Sequence, residues 1–418
     1  MHKDSRGVVA RRDRQVTMKR CIYVVDDEAE VTDTAVLIMR GMDSQWEVTG
    51  FKDPLEALAA VRAKAPDLIL ADQLMPQMQG SQLLEQVRAV SPKTIRIIMS
   101  AHAGLNKLTL ITSAHQYIAK PFDTIELRRV IGRSFAAQGR LEDSDLQAVA
   151  TSLRSIPSLP GTYDALLREL RNDRNATTNI ARLVAQDPGL TAKVLQLANS
   201  PLFGQHYLID SPIEAVMCLG TDMIAAVVLA QSLFHHYESV SAAAMDWRKV
   251  WSHCWHTAYL TQHVCREMKF TRIAGEEAFL AGLLHETGRF VLADNYPERF
   301  RAACQGAEKM ASPLVPRLRE VFRASPYQVA AYILELWGMP ANAIGAIAAQ
   351  DAPAADQANG FTLASVLYVA DGIASRQAPP DAFALEEWDS AYLEAVGCLE
   401  SIPEWEKFST ESKPDYSR

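Results

Sequence analysis

The stretch DLILADQLMPQMQG, running from Asp67 to Gly80, decides the fold of this chain. Leu68, Ile69, Leu70 and Ala71 form a short continuous apolar run, the pattern of a strand buried on both faces of a parallel sheet. The run ends on Asp72, and the chain then turns through Met75-Pro76 to Gly80 before helical periodicity resumes. In open α/β sheets, ligands gather in the crevice outside the carboxyl ends of the strands, which is where Asp72 falls. Taken alone, such an aspartate reads equally well as a turn residue.

The flanking sequence repeats the theme. Upstream, Cys21–Val25 is an apolar strand ending in Asp26-Asp27-Glu28, Val31–Met39 has helical spacing, and Trp46–Gly50 is a short second strand. Asp53-Pro54 opens another helix, with Asp as N-cap and Pro at the first position. Downstream come a helix over Ser81–Val90, a strand over Ile95–Ser100, a brief strand over Tyr117–Ala119 followed by Lys120-Pro121, and a helix over Thr124–Phe135. Strands alternating with helices in this way specify a doubly wound, five-stranded parallel sheet with right-handed crossovers.

Gln138–Ala150 is polar and acidic, without an apolar face wide enough for a core, and reads as a linker or a helical extension. From Thr151 onward strands vanish. Asp187-Pro188 and the Ser211-Pro-Ile-Glu214 capping box start helices. Trp247–Lys269, Glu276–Asn295, Ala307–Phe322, Tyr327–Trp337 and Phe361–Arg376 complete an all-α module. The expected organisation is a basic arm over 1–18, an α/β domain over 19–137, a linker over 138–150, a helical domain over 151–376, and an acidic, aromatic tail over 377–418 that has no evident place.

Bulk properties exclude several classes. A chain of 418 residues with net charge −8 has room for two or three domains and lacks the basic surplus of a general nucleic-acid binder. The six cysteines show no zinc spacing and read as buried thiols of a reducing compartment. No stretch reaches the roughly 18 apolar residues of a membrane span, and Met223–Phe234, the nearest, reads as a buried helix. Met1–Arg20 is rich in Arg and Lys without an apolar core, so it is no secretory signal and reads as a solvated leader. These features point to the cytoplasm.

Chemistry concentrates at the strand ends. Asp26 and Asp27, Asp72, Ser100 and Lys120 fall outside strands one, three, four and five respectively. Three carboxylates in one crevice repel one another unless a cation binds, and an all-oxygen site suits Mg²⁺. A hydroxyl and an ammonium beside them can stabilise a phosphoryl group as it transfers to a carboxylate.

In VVDDE (24–28), LILADQLMPQMQG (68–80), IIMSA (97–101) and YIAKPF (117–122), this region resembles the receiver domain of two-component response regulators. The resemblance implies that Asp72 is the phosphoacceptor and that Asp27, Asp72 and the Leu74 carbonyl coordinate Mg²⁺, with Asp26 acting partly through water. It also implies that Ser100 and Tyr117 form a switch pair, that Lys120 contacts the phosphoryl oxygens, and that Lys120-Pro121 is a candidate cis peptide. Leu74 and His102, two residues beyond Asp72 and Ser100, lie where water would approach the phosphoryl group.

The second constellation is helical. GLLHETGRFVL (282–292), His253 and His256 on the preceding helix, and Asp371 far downstream supply the groups of a divalent-metal hydrolase. The motifs DPGLTAKVLQLANSPLFG (187–204), SPIEAVMCLG (211–220), VWSHCWHTA (250–258), AGLLHETGR (281–289) and LELWGMP (334–340) resemble the HDOD domain, a helical relative of HD phosphohydrolases. That resemblance implies a signalling module without hydrolase activity. The doublet His285-Glu286 replaces His-Asp, and Pro326-Tyr327 and Gln350-Asp351 stand where relatives often carry histidines, so His253, His256, His285, Glu286 and Asp371 read as a degenerate site.

The expected function is therefore a response regulator. A sensor histidine kinase or phosphotransfer protein would phosphorylate Asp72 in a Mg²⁺-dependent manner. A non-catalytic HDOD output would engage a protein partner or nucleotide ligand, and phosphorylation-dependent homodimerisation is a further expectation. The alternative is a receiver-gated phosphohydrolase or cyclic-dinucleotide phosphodiesterase. A DNA-binding output finds no helix-turn-helix segment or basic recognition helix.

Overall fold

The computed structural model describes residues 19–100, 113–153, 165–166, 169, 176–199, 208–221, 223–224, 247–310, 312–354, 360–377 and 388–411. The basic arm, His102 and all but the first two residues of Met223–Phe234 lie outside them.

The N-terminal third alternates β1 (Cys21–Val25), α1 (Ala29–Met42), β2 (Glu47–Phe51), α2 (Pro54–Ala63), β3 (Leu68–Asp72), α3 (Gly80–Val90), β4 (Ile95–Ser100), β5 (Gln116–Ala119) and α4 (Thr124–Gln138). The strands form one parallel sheet in the order β2-β1-β3-β4-β5. β1, β3 and β4 are buried along their whole length, as continuous apolar runs require when helices cover both faces. Asp53 caps α2 by accepting from the Leu55 N–H at 2.7 Å, with Pro54 in the first helical position.

The described residues that follow are helical: α5 (Ser144–Ser152), α6 (Ala176–Ala185), α7 (Pro188–Ala198), α8 (Pro212–Leu219), α9 (Trp247–Glu267), α10 (Arg272–Leu284), α11 (Thr287–Asn295), α12 (Pro297–Met310), α13 (Leu314–Phe322), α14 (Pro326–Leu336), α15 (Ala341–Ala348), α16 (Leu363–Gln377), α17 (Ser390–Ala395) and α18 (Ile402–Glu411). None of these described helices is long and apolar enough to cross a membrane.

Four readings of the sequence change. The expected helix over Glu276–Asn295 breaks at His285-Glu286 into α10 and α11. α11 packs so tightly on the start of α14 that a Cβ at Gly288 would fall 1.8 Å from the Pro326 carbonyl oxygen. The expected helix over Ala307–Phe322 likewise divides, since Pro313 denies the hydrogen bond that would carry α12 into α13. The polar segment after Gln138 does contribute to a core: Leu141, Leu146 and Ala150 are buried in a cluster that joins Ile118, Val130 and Ile131 of the sheet domain to Val329, Tyr332 and Leu336 of α14. A narrow stripe suffices there because neighbours on both sides complete the burial. The acidic tail also folds back, placing Leu393, Cys398, Ile402 and Trp405 in a cluster with Leu260 and Val264 of α9 and Val369 and Ile373 of α16. Cys218 and Cys304 are half-buried, whereas Cys21, Cys254, Cys265 and Cys398 are buried, and all are reduced.

Candidate functional site

Strand register assembles the first site. Val25 pairs with Ala71, which sets Asp26 level with Asp72 at the carboxyl edge. Ser100 pairs with Ala119, and the Lys120 N–H donates to the Ser100 carbonyl at 2.9 Å, which delivers the lysine to the same edge. The Lys120 ammonium lies 2.6 Å from Asp26 Oδ2 and 2.5 Å from Asp72 Oδ1, with its side chain only 11 % exposed. The other Asp72 oxygen, Oδ2, accepts from the Leu74 N–H at 2.6 Å.

The electrostatics follow from burial. Loss of water pushes both the Asp26 and Asp72 carboxyls above their ordinary values, despite the opposing pull of Lys120. Burial alone would lower the Lys120 ammonium, but the two carboxylates outweigh it and hold it high. Asp26 Oδ2 is buried and faces the ammonium at close range without a well-directed hydrogen bond. One ammonium against three neighbouring carboxylates leaves a net-negative, all-oxygen site, a donor set that fits a hard divalent ion such as Mg²⁺.

Asp27 is exposed beside the buried pair, and Leu74 is 46 % exposed at the mouth of the site. Ser100 and Tyr117 are buried on adjacent strands. The Tyr117 ring lies in the apolar cluster with Ile98, Ala71 and Ala114, and burial raises its hydroxyl pKa. Lys120-Pro121 is cis.

Two residues of the opening motif gain supporting roles that the sequence reading did not assign. Gln73 pins the loop after β3: its side-chain amide donates to Gln79 Oε1 and Ser81 Oγ at 3.3 Å, and its Oε1 accepts from the Ser81 N–H at 3.1 Å. Gly80 closes that loop so tightly that a Cβ there would lie 2.1 Å from the Asp72 carbonyl oxygen.

A second polar cluster occupies the opposite end of the same strands. Arg96, second residue of β4, is buried. Its guanidinium donates to the carbonyls of Ser113 (3.2 Å), Thr94 (3.2 Å) and Thr151 (2.9 Å). Its backbone N–H donates to His115 Nδ1 at 2.9 Å, so Nδ1 is an acceptor and Nε2 carries the hydrogen that meets the Thr151 carbonyl at 2.6 Å. His115 is therefore neutral, and burial followed by the Arg96 charge holds its pKa well below the usual imidazole range.

The helical domain completes this node. The Thr151 and Tyr332 hydroxyls lie 2.6 Å apart. Gln196 of α7 donates to the His115 carbonyl at 2.9 Å and accepts from Lys193, whose ammonium burial pushes down to about 7. Arg133 of α4 donates to the Met339 carbonyl at 2.7 Å, and Arg140 pairs with Glu335. A sequence signal existed in Arg96, an arginine inside an otherwise apolar strand.

The third cluster brings together only part of the degenerate set. His253 of α9, His285 at the end of α10 and Asp371 of α16 converge, with His253 Nε2 2.9 Å from Asp371 Oδ1 and 3.2 Å from His285 Nε2. Burial would lower the His285 imidazole, but Asp371, Glu286 and the Gly282 carbonyl outweigh it and raise it. Burial likewise would raise Asp371, yet the two imidazoles hold its carboxyl well below the usual range. Glu286 bridges outward: its Oε2 lies 2.8 Å from Arg289 Nε while its Oε1 stays 3.7 Å from His285 Nε2. His256 is not in the cluster, because its Nε2 bonds to Ser409 Oγ at 2.7 Å. Gln350 donates to the Ala346 and Ala364 carbonyls, and Asp351 is engaged by Arg319 and Ser325.

Comparison with known proteins agrees with this division. Residues 22–132 match the family model of the response regulator receiver domain, and residues 156–353 that of the HDOD domain. The chain is 32 % identical over 117 residues to the DNA-binding transcriptional regulator NtrC of Salmonella typhimurium, a match covering 28 % of this chain and 24 % of that protein. It is 36 % identical over 112 residues to the DNA-binding response regulator MtrA of Mycobacterium tuberculosis, covering 27 % of this chain and 48 % of that one. The matches thus span a quarter to a half of the length of those curated relatives. Among solved structures, the MmoQ response regulator of Methylococcus capsulatus is similar at 26 % identity and a TM-score of 0.48, covering 60 % of this chain and 97 % of that one.

Proposed function

The chain is a response regulator receiver domain followed by an HDOD domain, and from that premise we propose that it accepts a phosphoryl group on Asp72 and signals through the HDOD domain without hydrolysis. The observation that carries this reading is the Lys120 ammonium held between the Asp26 and Asp72 carboxylates at the carboxyl edge of the sheet. A carboxylate oxygen of Asp72 attacks the phosphorus of a phosphohistidine on a sensor kinase or phosphotransfer protein; the P–N bond breaks as the P–O bond forms. Asp26, Asp27, Asp72 and the Leu74 carbonyl would hold Mg²⁺, which neutralises charge on donor and acceptor when bound. Lys120 stays beside the new phosphoryl oxygens. The Leu74 side chain stands over the mouth, where it restricts the approach of water and slows loss of the phosphoryl group.

Phosphorylation adds roughly −2 charge at the edge. Ser100 and Tyr117 rearrange in response, and β4 and β5 carry the change to their far ends, where the Arg96 node touches α7 and α14. The HDOD domain then gains or loses a protein partner or ligand. The non-catalytic reading is favoured over a metal-dependent phosphohydrolase or cyclic-dinucleotide phosphodiesterase because Gln350, Asp351 and His256 are engaged elsewhere. The test is labelling with a phosphorylated donor in Mg²⁺. Label cleaved by alkali and by hydroxylamine, as an acyl phosphate is, is expected on the wild-type chain and absent from Asp72→Asn; label persisting on that variant would overturn the assignment.

A further inference from the structure

Residues 388–411 lie beyond the ranges matched by both family models, yet they fold back on the helical domain. α18 turns one stripe, Ile402, Trp405, Phe408 and Ser409, toward α9 and α16. The Phe408 ring stacks on His263 and Tyr259 of α9, with centroids 3.4 and 5.8 Å apart, and Trp405 meets Phe361 at 6.1 Å. Polar groups fix the register. The Ser409 hydroxyl lies 2.7 Å from His256 Nε2 and donates to Gln377 Oε1 at 3.0 Å, while the Gln377 amide donates to the Glu406 carbonyl and the Thr410 hydroxyl at 3.2 Å. Aromatic anchors three residues apart, flanked by directed hydrogen bonds, are how a groove reads an amphipathic helix.

The seat is specific without being tight. His263 Nδ1, beneath Phe408, and Trp388 Nε1, pressed on α16 where a Cβ at Gly372 would lie 2.0 Å from it, are buried with no hydrogen-bond partner among the described residues. Each forfeits a hydrogen bond to water while the segment is docked and regains it on release. α18 has ten residues, and a helix that short has little stability of its own in water. Charge favours the same contact. Residues 388–411 carry six carboxylates against one lysine, and Arg376 of α16, stacked 3.4 Å over the Trp388 ring, lies in the field of Glu406.

We propose that residues 388–411 form a detachable strap, and that the face of α9 and α16 beneath it takes an acidic amphipathic helix of a partner protein. That helix bears two aromatic side chains three residues apart followed by a hydroxyl, as Trp405, Phe408 and Ser409 do in the strap. The strap is the intramolecular stand-in for it, so the apparent affinity for the partner is reduced to the fraction of chains in which the strap is open. The inference rests on the reading that the HDOD domain engages a protein partner, and not on phosphoryl transfer. Loss of Asp72 labelling bears on phosphoryl transfer alone, and loss of the binding described next bears on the strap alone.

The probe is a fluorescein-labelled peptide of residues 388–411, titrated into the full chain and read by anisotropy. Phe408→Ala in the full chain loosens the strap and leaves the face intact, so that variant should bind the peptide at least about 10-fold more tightly than the wild type. Ser409→Ala, which removes only the hydroxyl contacts, should give a smaller gain with an unchanged circular dichroism spectrum, which separates opening from misfolding. Peptide added to the Phe408→Ala chain should slow hydrogen exchange in α9 and α16, and a peptide of scrambled order should neither bind nor protect. Equal affinity of the wild type and both variants overturns the strap, and binding without protection of α9 and α16 overturns the face. Opened variants that dimerise by light scattering without taking up the peptide would seat a second copy there and overturn the partner.

Discussion

The two ends of one sheet carry opposite electrostatic problems. At the carboxyl edge, Asp26 and Asp72 surround a single ammonium and acidic charge is in excess. At the amino edge, Arg96, His115 and Lys193 gather among backbone carbonyls, a glutamine amide and the Trp337 ring, with Arg96 also against the His115 ring, and His115 is held neutral. The first arrangement has the donor set for the cation and the phosphoryl group proposed above. The second is satisfied only while the two domains stay docked, because Thr151, Gln196 and Tyr332 come from the helical side. The difference separates a site built for chemistry from one built for registration, joined by strands of four and six residues.

Changes to either end test that division. The largest effect belongs to Asp72→Asn, which should abolish phosphoryl labelling while leaving the melting temperature unchanged or slightly raised, because a buried acidic charge is removed. Arg96→Met should leave Asp72 labelling intact and destabilise the docked state by about 3 kcal/mol, since the Ser113 and Thr94 carbonyls lose the guanidinium and the Thr151 carbonyl keeps only His115, read by denaturant titration. Equal damage to labelling would erase the distinction between the two ends.

A smaller effect comes from pH. His115 keeps a depressed pKa in the docked protein, whereas the unfolded chain takes up a proton near pH 6.5, so stability falls as pH drops below that value, by up to about 1.4 kcal/mol per unit. Lys193, at about 7 when buried, acts in the same direction at higher pH: stability rises between pH 7 and its unfolded value. His115→Gln should flatten the acid limb. Smallest is Tyr332→Phe, which removes the partner of the Thr151 hydroxyl and should cost about 1 kcal/mol.

Much of the carboxyl edge was legible in the sequence because local order dictates it. Apolar runs ending in Asp26, Asp72, Ser100 and Lys120 can only become strand ends, and parallel register aligns them. The tight approach at Gly80 and the Gln73 brace depend on the path of one loop, which spacing does not specify. The Arg96 node was legible only in Arg96 itself: Thr151, Gln196 and Tyr332 are far from it in the chain and meet it only through domain docking. The helical set was half legible. His253 and His256 share a helix and three-residue spacing, yet the side chains turn to Asp371 and Ser409 respectively. The tail was unplaced because its apolar residues are sparse, and they become a core only against α9 and α16.

The coupling between the two ends is tested most directly by hydrogen exchange of the full chain with and without beryllofluoride and Mg²⁺. Exchange should change in β5, in α5 around Thr151 and in α14 around Tyr332, and the same treatment of Asp72→Asn should leave those segments unchanged. A response confined to the carboxyl edge, with α5 and α14 unaltered in the wild type, would contradict it.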